Sequence, residues 1–201
     1  MSAAQWDQRY AGAHFHYGTE PNAWLISQAW RLPRHGSALA VADGEGRNGV
    51  WLAQHGLQTT SVDQSAAGLA KAQQLARQCG VALHTEQADL AAWAWPAAAC
   101  DVIASIFVHL PDALRRRTHA GIVQALKPGG WLILEAFTPA QMACASGGPR
   151  DPALLYSAAQ LREDFAALEC LALLEGEVLL AEGPGHQGPA QVVRLLARRS
   201  T

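Results

Sequence analysis

The chain has 201 residues, half of them hydrophobic and 16% charged, with a formal net charge of −2. That length and apolar content suit one domain with a sizeable core, and the near-neutral charge gives no general electrostatic attraction to nucleic acid, which would need a basic face or stripe. No stretch reaches the roughly 18 apolar residues of a membrane span, the start MSAAQWDQRY lacks the layout of a secretory signal, and four scattered cysteines form no C-x-x-C pair, so a soluble, reduced, cytoplasmic protein is expected.

In chain order, residues 6–30 mix aromatics with polar side chains and predict one or two short helices outside any sheet. Residues 1–35 are read as an N-terminal helical lid segment and 36–201 as the core. Pro33 and Gly36 precede an apolar run, 37–42, that reads as a short buried strand ending at Asp43-Gly44. A helix over 48–55 follows, closed by Gly56. Residues 59–62 form the second strand, which stops at Asp63; Ser65 caps a helix to about Cys79, with Gly80 beyond its end. Further strands are expected at 81–88, 102–107 and 131–137, the last two separated by a helix that opens at Pro111-Asp112 and ends near Leu126. Such alternation predicts a doubly wound, mostly parallel α/β sheet. After a helix over about 157–168, the β-like runs 170–180 and 191–197 are joined without a helix and should pair antiparallel.

Asp43-Gly44-Glu45-Gly46-Arg47-Asn48-Gly49 links the first strand to the first core helix. Glycines there permit a sharp turn and let a ligand approach the helix N-terminus. Asp63 ends the next strand, where a carboxylate can accept both hydroxyls of a ribose. Gly44, Gly46 and Gly49 also spell the G-x-G-x-x-G of a dinucleotide site, so an NAD(P)-dependent oxidoreductase is an alternative. Three features favour S-adenosylmethionine. Asp89, in Gln87-Ala88-Asp89-Leu90, closes the third strand, where it is placed to bond an adenine amine. Leu126-Lys127-Pro128-Gly129-Gly130-Trp131-Leu132 makes a tight helix-to-strand connection, and the chain ends in the antiparallel pair. The Tyr-x-x-x-Lys pair of one dehydrogenase class is absent, because Gln160 stands four residues after Tyr156.

The stretch 37–137 resembles the class I S-adenosylmethionine-dependent methyltransferases. Tyr17-Gly18-Thr19, Gly46-Arg47-Asn48 and Gly185-His186-Gln187-Gly188 resemble their tellurite-resistance and thiopurine methyltransferase branch. The resemblance implies a seven-stranded sheet in the order 3-2-1-4-5-7-6 with the last strand antiparallel. It implies a single domain, a small-molecule acceptor, a monomer or homodimer, and no nucleic-acid or membrane partner. Cofactor contacts are expected from Tyr17, Asp43, Gly44, Gly46, Asn48, Asp63, Gln64, Asp89, Leu90, Ser105 and Ile106. There is one departure. Where the family's first motif reads Asp-x-Gly-x-Gly-x-Gly, this chain has Ala40 for the Asp and Ala42 for the first Gly. Asp43 is expected to supply the acid instead, at the mouth of the cleft; a non-catalytic protein that keeps the cofactor pocket is a third reading.

A sulfonium methyl group is already electrophilic, so the protein's task is to orient an acceptor behind it, with a base only where the acceptor carries a proton. His186 and His109 are the candidate bases, and Arg47 is a candidate for drawing in an anionic acceptor unless a salt bridge to Glu20 or Glu45 accounts for it. Trp93 and Trp95 wall the adenine pocket or fill the core. His14 and His16 lack nearby carboxylates, and no metal site is expected. Met142, Cys144 and Gly147-Gly148 should roof the acceptor pocket together with the N-terminal segment. Ser105-Ile106-Phe107 carries no Asn/Asp-Pro-Pro motif, which argues against nucleobase methylation.

Overall fold

A computed structural model describes residues 1–201. Seven strands, β1 (Ser37–Val41), β2 (Gln58–Asp63), β3 (His84–Gln87), β4 (Cys100–Ile106), β5 (Leu126–Phe137), β6 (Glu169–Ala181) and β7 (Gln187–Arg198), form one sheet in the order β3-β2-β1-β4-β5-β7-β6. The first five are parallel, while β7 runs antiparallel to both β5 and β6. The hairpin turn between β6 and β7 is too short for a crossover, so β7 must reverse direction beside β6.

Helices α2 (Ala23–Ser27) and α3 (Arg47–Gln54) cover one face, where Trp24, Leu25 and Leu52 meet Val102, Ile133 and Leu196. Helix α4 (Ala66–Gln78) packs beside α3 through Val50, Ala72 and Leu75. Helices α5 (Asp112–Ala125) and α6 (Ala158–Asp164) cover the other face: Ile122, Leu161 and Phe165, the residue that follows α6, pack against Leu39, Ile103, Leu132 and Val193. Helix α1 (Ala3–Tyr10) lies on α4, its start fixed by a capping box of Ser2 and Gln5.

The structure departs from the expected boundaries in four places. Strand β3 has four residues, because the Val81 amide turns back to the Ala76 carbonyl and leaves 81–83 to finish the turn after α4. Residues 127–130 are drawn into β5, where Gly129 and Gly130 exchange backbone hydrogen bonds with Arg199. Helix α6 stops at Asp164, and β7 begins at Gln187. No helix joins β3 to β4; Trp93 and Trp95, 4.7 Å apart between ring centroids, pack on the core in its place. Gly121 of α5 admits the Trp95 ring, which any β-carbon there would strike. Both tryptophans therefore pack on the core, and Trp93 is anchored through Nε1 to Glu86 at 2.6 Å.

The parallel strands β1 to β4 end on the same edge of the sheet. The turn 42–46, Asp63, residues 88–90 and Phe107 are gathered there. No helix is long and apolar enough to cross a membrane.

Candidate active site

The turn after β1 is tightly wound. Ala42, Gly44 and Gly46 all have positive φ, at 48°, 56° and 88°. Each glycine is needed for a different reason. A side chain on Gly46 would run into Ala72 of α4, and one on Gly49 would run into Ser61 and Asp43, so these two let α3 seat against its neighbours. A β-carbon on Gly44 would lie 2.6 Å from the Tyr10 hydroxyl, so Gly44 lets Tyr10 of α1 pack against the turn.

Asp63, at the tip of β2, grips that turn. Its Oδ2 accepts from the Gly44 amide and its Oδ1 from the Ser65 amide, both at 2.8 Å. Burial raises its pKa, and the backbone donors oppose the rise. Asp89 lies two residues past β3, exposed, with Oδ1 accepting from the Ala91 amide. The Ala88 amide donates to the Asp63 carbonyl at 2.9 Å, which puts the two acids on adjacent strand tips. Gln64 is half-buried between them, its carbonyl accepting from Gln87. Ser105 and Ile106 are buried at the end of β4, and the Leu90 side chain points into the core.

An N-terminal strap crosses this edge. Glu45 is buried and holds it: Oε2 accepts from the His16 and Tyr17 amides, and Oε1 takes the Lys71 ammonium at 2.7 Å. Asp7 of α1 accepts from the Ser65 hydroxyl and the Ala67 amide, sealing the start of α4. Beyond the strap lies an aromatic cluster. The His186 ring sits 4.5 Å from Tyr17, 4.6 Å from Phe107 and 5.3 Å from Phe137. Phe107 reaches it through a left-handed backbone, φ 54°. Gly147 and Gly148 of the connection after β5 lie directly over His186 and Phe137, so this connection and the strap do roof the cluster.

A buried polar network backs the cluster. Arg47 pairs with Glu182 at 2.8 Å and donates to the Glu20 carbonyl. Asn22 donates to both Glu182 and Glu135, and Glu135 takes Arg194 at 2.8 Å. Glu182 also accepts from His186 Nδ1 at 3.4 Å. Burial would raise the Glu182 pKa, but His186 and Arg47 overcome it and hold it at about 2. Burial lowers the His186 pKa against the opposing pull of Glu182. His186 Nε2 makes no hydrogen bond.

Four expected roles change on this geometry. The Asp43 carboxyl does not face the cleft: Oδ2 accepts from Ser61 Oγ at 2.6 Å and the Gly49 amide at 3.0 Å, behind the turn, and Oδ1 is buried without a partner. Asn48 spends Oδ1 on the Asn22 amide, tying the strap to α3. Arg47 is neutralised by Glu182, neither of the two acids proposed from sequence, and has no charge left for an anionic acceptor. His109 is no base, because Nδ1 donates to the Leu154 carbonyl at 2.7 Å and Nε2 accepts from the Phe137 amide, with desolvation holding its pKa at about 4. Tyr17, Gly44, Asp63 and Gln64 do converge on the cleft edge. Sequence reasoning missed the roles of Tyr10, Glu45, Asn22 and Glu182; Glu45 was visible only as a possible partner of Arg47, and Glu182 left a trace four residues before His186 in the same loop.

Residues 38–130 match the family model described as a methyltransferase domain. The structure is similar to that of a protein concerned with the conversion of a disulfide bond into a thioacetal group during echinomycin biosynthesis, with TM-score 0.78 and 17% identity over 99% of this chain and 90% of that one. It is similar to TehB from Haemophilus influenzae, with TM-score 0.72 and 19% identity over 97% of this chain and 66% of the other. A third likeness is to the N-methyltransferase NodS from Bradyrhizobium japonicum in complex with S-adenosylhomocysteine, at TM-score 0.71 and 16% identity over 99% and 98%. No curated protein sequence matches the chain. Residues 38–130 thus carry a likeness to a methyltransferase domain, and the chain as a whole shares the fold of these solved structures, one of them holding S-adenosylhomocysteine. The antiparallel β7 inserted before β6 also sets the nicotinamide reading aside, since a dinucleotide fold continues with a sixth strand in the order 3-2-1-4-5-6.

Proposed function

We propose that the chain transfers a methyl group from S-adenosylmethionine to a small molecule held against the aromatic cluster, in the cytoplasm, with the N-terminal strap as a lid. The residues present fit the cofactor. Asp63 keeps a second lone pair on each oxygen for ribose hydroxyls, at the strand tip beside the glycine turn. Gly44, Asp63, Gln64 and Asp89 would hold the nucleoside, with the backbone of Leu90 beside it and Tyr17 covering the methionine end. When bound, the cofactor supplies an electrophilic methyl group on a sulfonium.

The observation that carries the reading is the placement of His186. It is 4% exposed, enclosed by Tyr17, Phe107 and Phe137, and keeps Nε2 free. A side chain so covered is open to a small acceptor more readily than to a macromolecule. For an acceptor X–H, the proton passes to Nε2, the X–H electron pair stays on X, and the imidazolium keeps its Nδ1–H toward Glu182. Apolar rings around X leave a soft nucleophile poorly hydrated and more reactive.

Calorimetry with S-adenosylhomocysteine, then mass spectrometry after incubation with thiol, selenite, tellurite and halide acceptors, tests the proposal. His186→Ala is expected to lower turnover of a protonated acceptor by about 10²-fold or more while leaving cofactor affinity within about twofold. Equal loss of both would make the histidine structural. Cofactor binding with no product from any acceptor would favour a non-catalytic protein.

A further inference from the structure

We propose that Glu182 is a positioning residue that sets the tautomer of His186 and links it to the glycine turn through Arg47. This inference rests on the methyltransferase reading for its purpose, though not for its test. Glu182 and His186 stand on either side of Gly183-Pro184-Gly185, a turn that folds back so that Oε2 faces Nδ1 at 3.4 Å. A carboxylate can only accept, so Nδ1 must carry the hydrogen and Nε2 the lone pair. The contact is long for a hydrogen bond, and the same Oε2 takes Arg47 at 2.8 Å. Arg47 is the first residue of α3, directly after the turn, and its other guanidinium nitrogen holds the Glu20 carbonyl of the strap. Oε1 is held by Asn22 at 3.0 Å. One carboxylate therefore joins the turn, the strap and the histidine loop, and any shift of α3 is passed to the imidazole.

The loop is held in place without the Glu182–His186 contact. Gly185 donates to the His16 carbonyl at 2.9 Å, and the Glu182 amide donates to the His186 carbonyl at 2.9 Å. A loop anchor is thus already present, which leaves the side-chain contact free for orientation. Charged and titratable groups facing His186 are Arg47 and Glu182 behind it, His16 and Tyr17 from the strap, and His109 from beyond β4. Only Glu182 favours the imidazolium; Arg47 and the two histidines oppose it.

Long-range proton–nitrogen NMR of histidine-labelled protein reads tautomer and titration midpoint directly. Wild type is expected to show His186 protonated on Nδ1. Glu182→Gln should shift the population toward Nε2–H and lower the midpoint by about one pH unit, since Arg47 is left without its counter-ion. Glu182→Asp keeps the charge for Arg47 but shortens the reach, and it should change the tautomer with a smaller change in midpoint; it also serves where the Gln variant does not fold. Turnover of Glu182→Gln should fall by about 10²-fold, with KM for the cofactor nearly unchanged. An Nε2–H tautomer in wild type, or identical tautomer and midpoint in both variants, would overturn the proposal. Failure to bind S-adenosylhomocysteine would instead defeat the methyltransferase reading, while the NMR result would still decide the role of Glu182.

Discussion

Replacing Asp43 by Asn removes a charge at nearly constant shape from a place where the charge is costly. Oδ2 receives hydrogen bonds from Ser61 and Gly49, but Oδ1 is shut away from water and receives none. Loss of hydration dominates these bonds and lifts the pKa from 3.8 to about 6. Between those values the native protein holds a proton that the unfolded chain has released. The stability linked to this group is therefore complete below pH 3.8 and is lost as pH rises through 6. The size of that loss is about 3 kcal/mol. Asn does not titrate, so the stability of Asp43→Asn relative to wild type should climb by about that amount between acid and neutral pH and then level off. Urea unfolding at a series of pH values, followed by tryptophan fluorescence, measures the difference directly, and unchanged m-values would confirm that both states stay comparable. A difference that stays flat across the window would mean that the carboxylate is hydrated and open to the cleft, as the sequence alone suggests, and the buried placement would be refuted.

Ala42→Gly should stabilise the fold, because a left-handed alanine costs about 1–2 kcal/mol and glycine gives back only about 0.5–1 kcal/mol in chain entropy; a rise in melting temperature of about 2–3 °C is the expected reading. Gly121→Ala should lose about 2 kcal/mol or more, since the Trp95 ring must move from its seat in the core, and thermal unfolding with near-ultraviolet circular dichroism would report both. Asp63→Asn should weaken S-adenosylhomocysteine binding by about tenfold or more in calorimetry; Asp63→Ala should also destabilise the protein, because the Gly44 and Ser65 amides lose their acceptor at about 1–3 kcal/mol each.

Much of the sheet was legible because its signals are local. Apolar runs such as Ser37-Ala38-Leu39-Ala40-Val41, punctuated by glycine and an acid, identify parallel strands whatever surrounds them. Once strands alternate with helices, their ends must share one edge, so Asp63 and Asp89 had to fall on neighbouring tips. Boundaries were less secure where a backbone group found a distant partner, as Gly129 and Gly130 did with Arg199. Between β3 and β4, where the sequence shows no helical pattern, two tryptophans cover the sheet instead.

Side-chain direction was the weakest inference. Asp43 reads as a cleft acid by its place beside the glycines, yet Ser61 and Gly49 draw it behind the turn. His109 reads as a base by its place after β4, yet Leu154 and Phe137 occupy both nitrogens. The sequence by itself determined the strand–helix order, the glycine turn and the acids at the strand tips, all consequences of local backbone preference and burial. Tertiary structure alone decided which polar atoms stay free, because that depends on partners as remote as the 135 positions between Arg47 and Glu182. A carboxylate or an imidazole takes its character from what desolvates and pairs it, and those neighbours are chosen only when the chain has closed on itself.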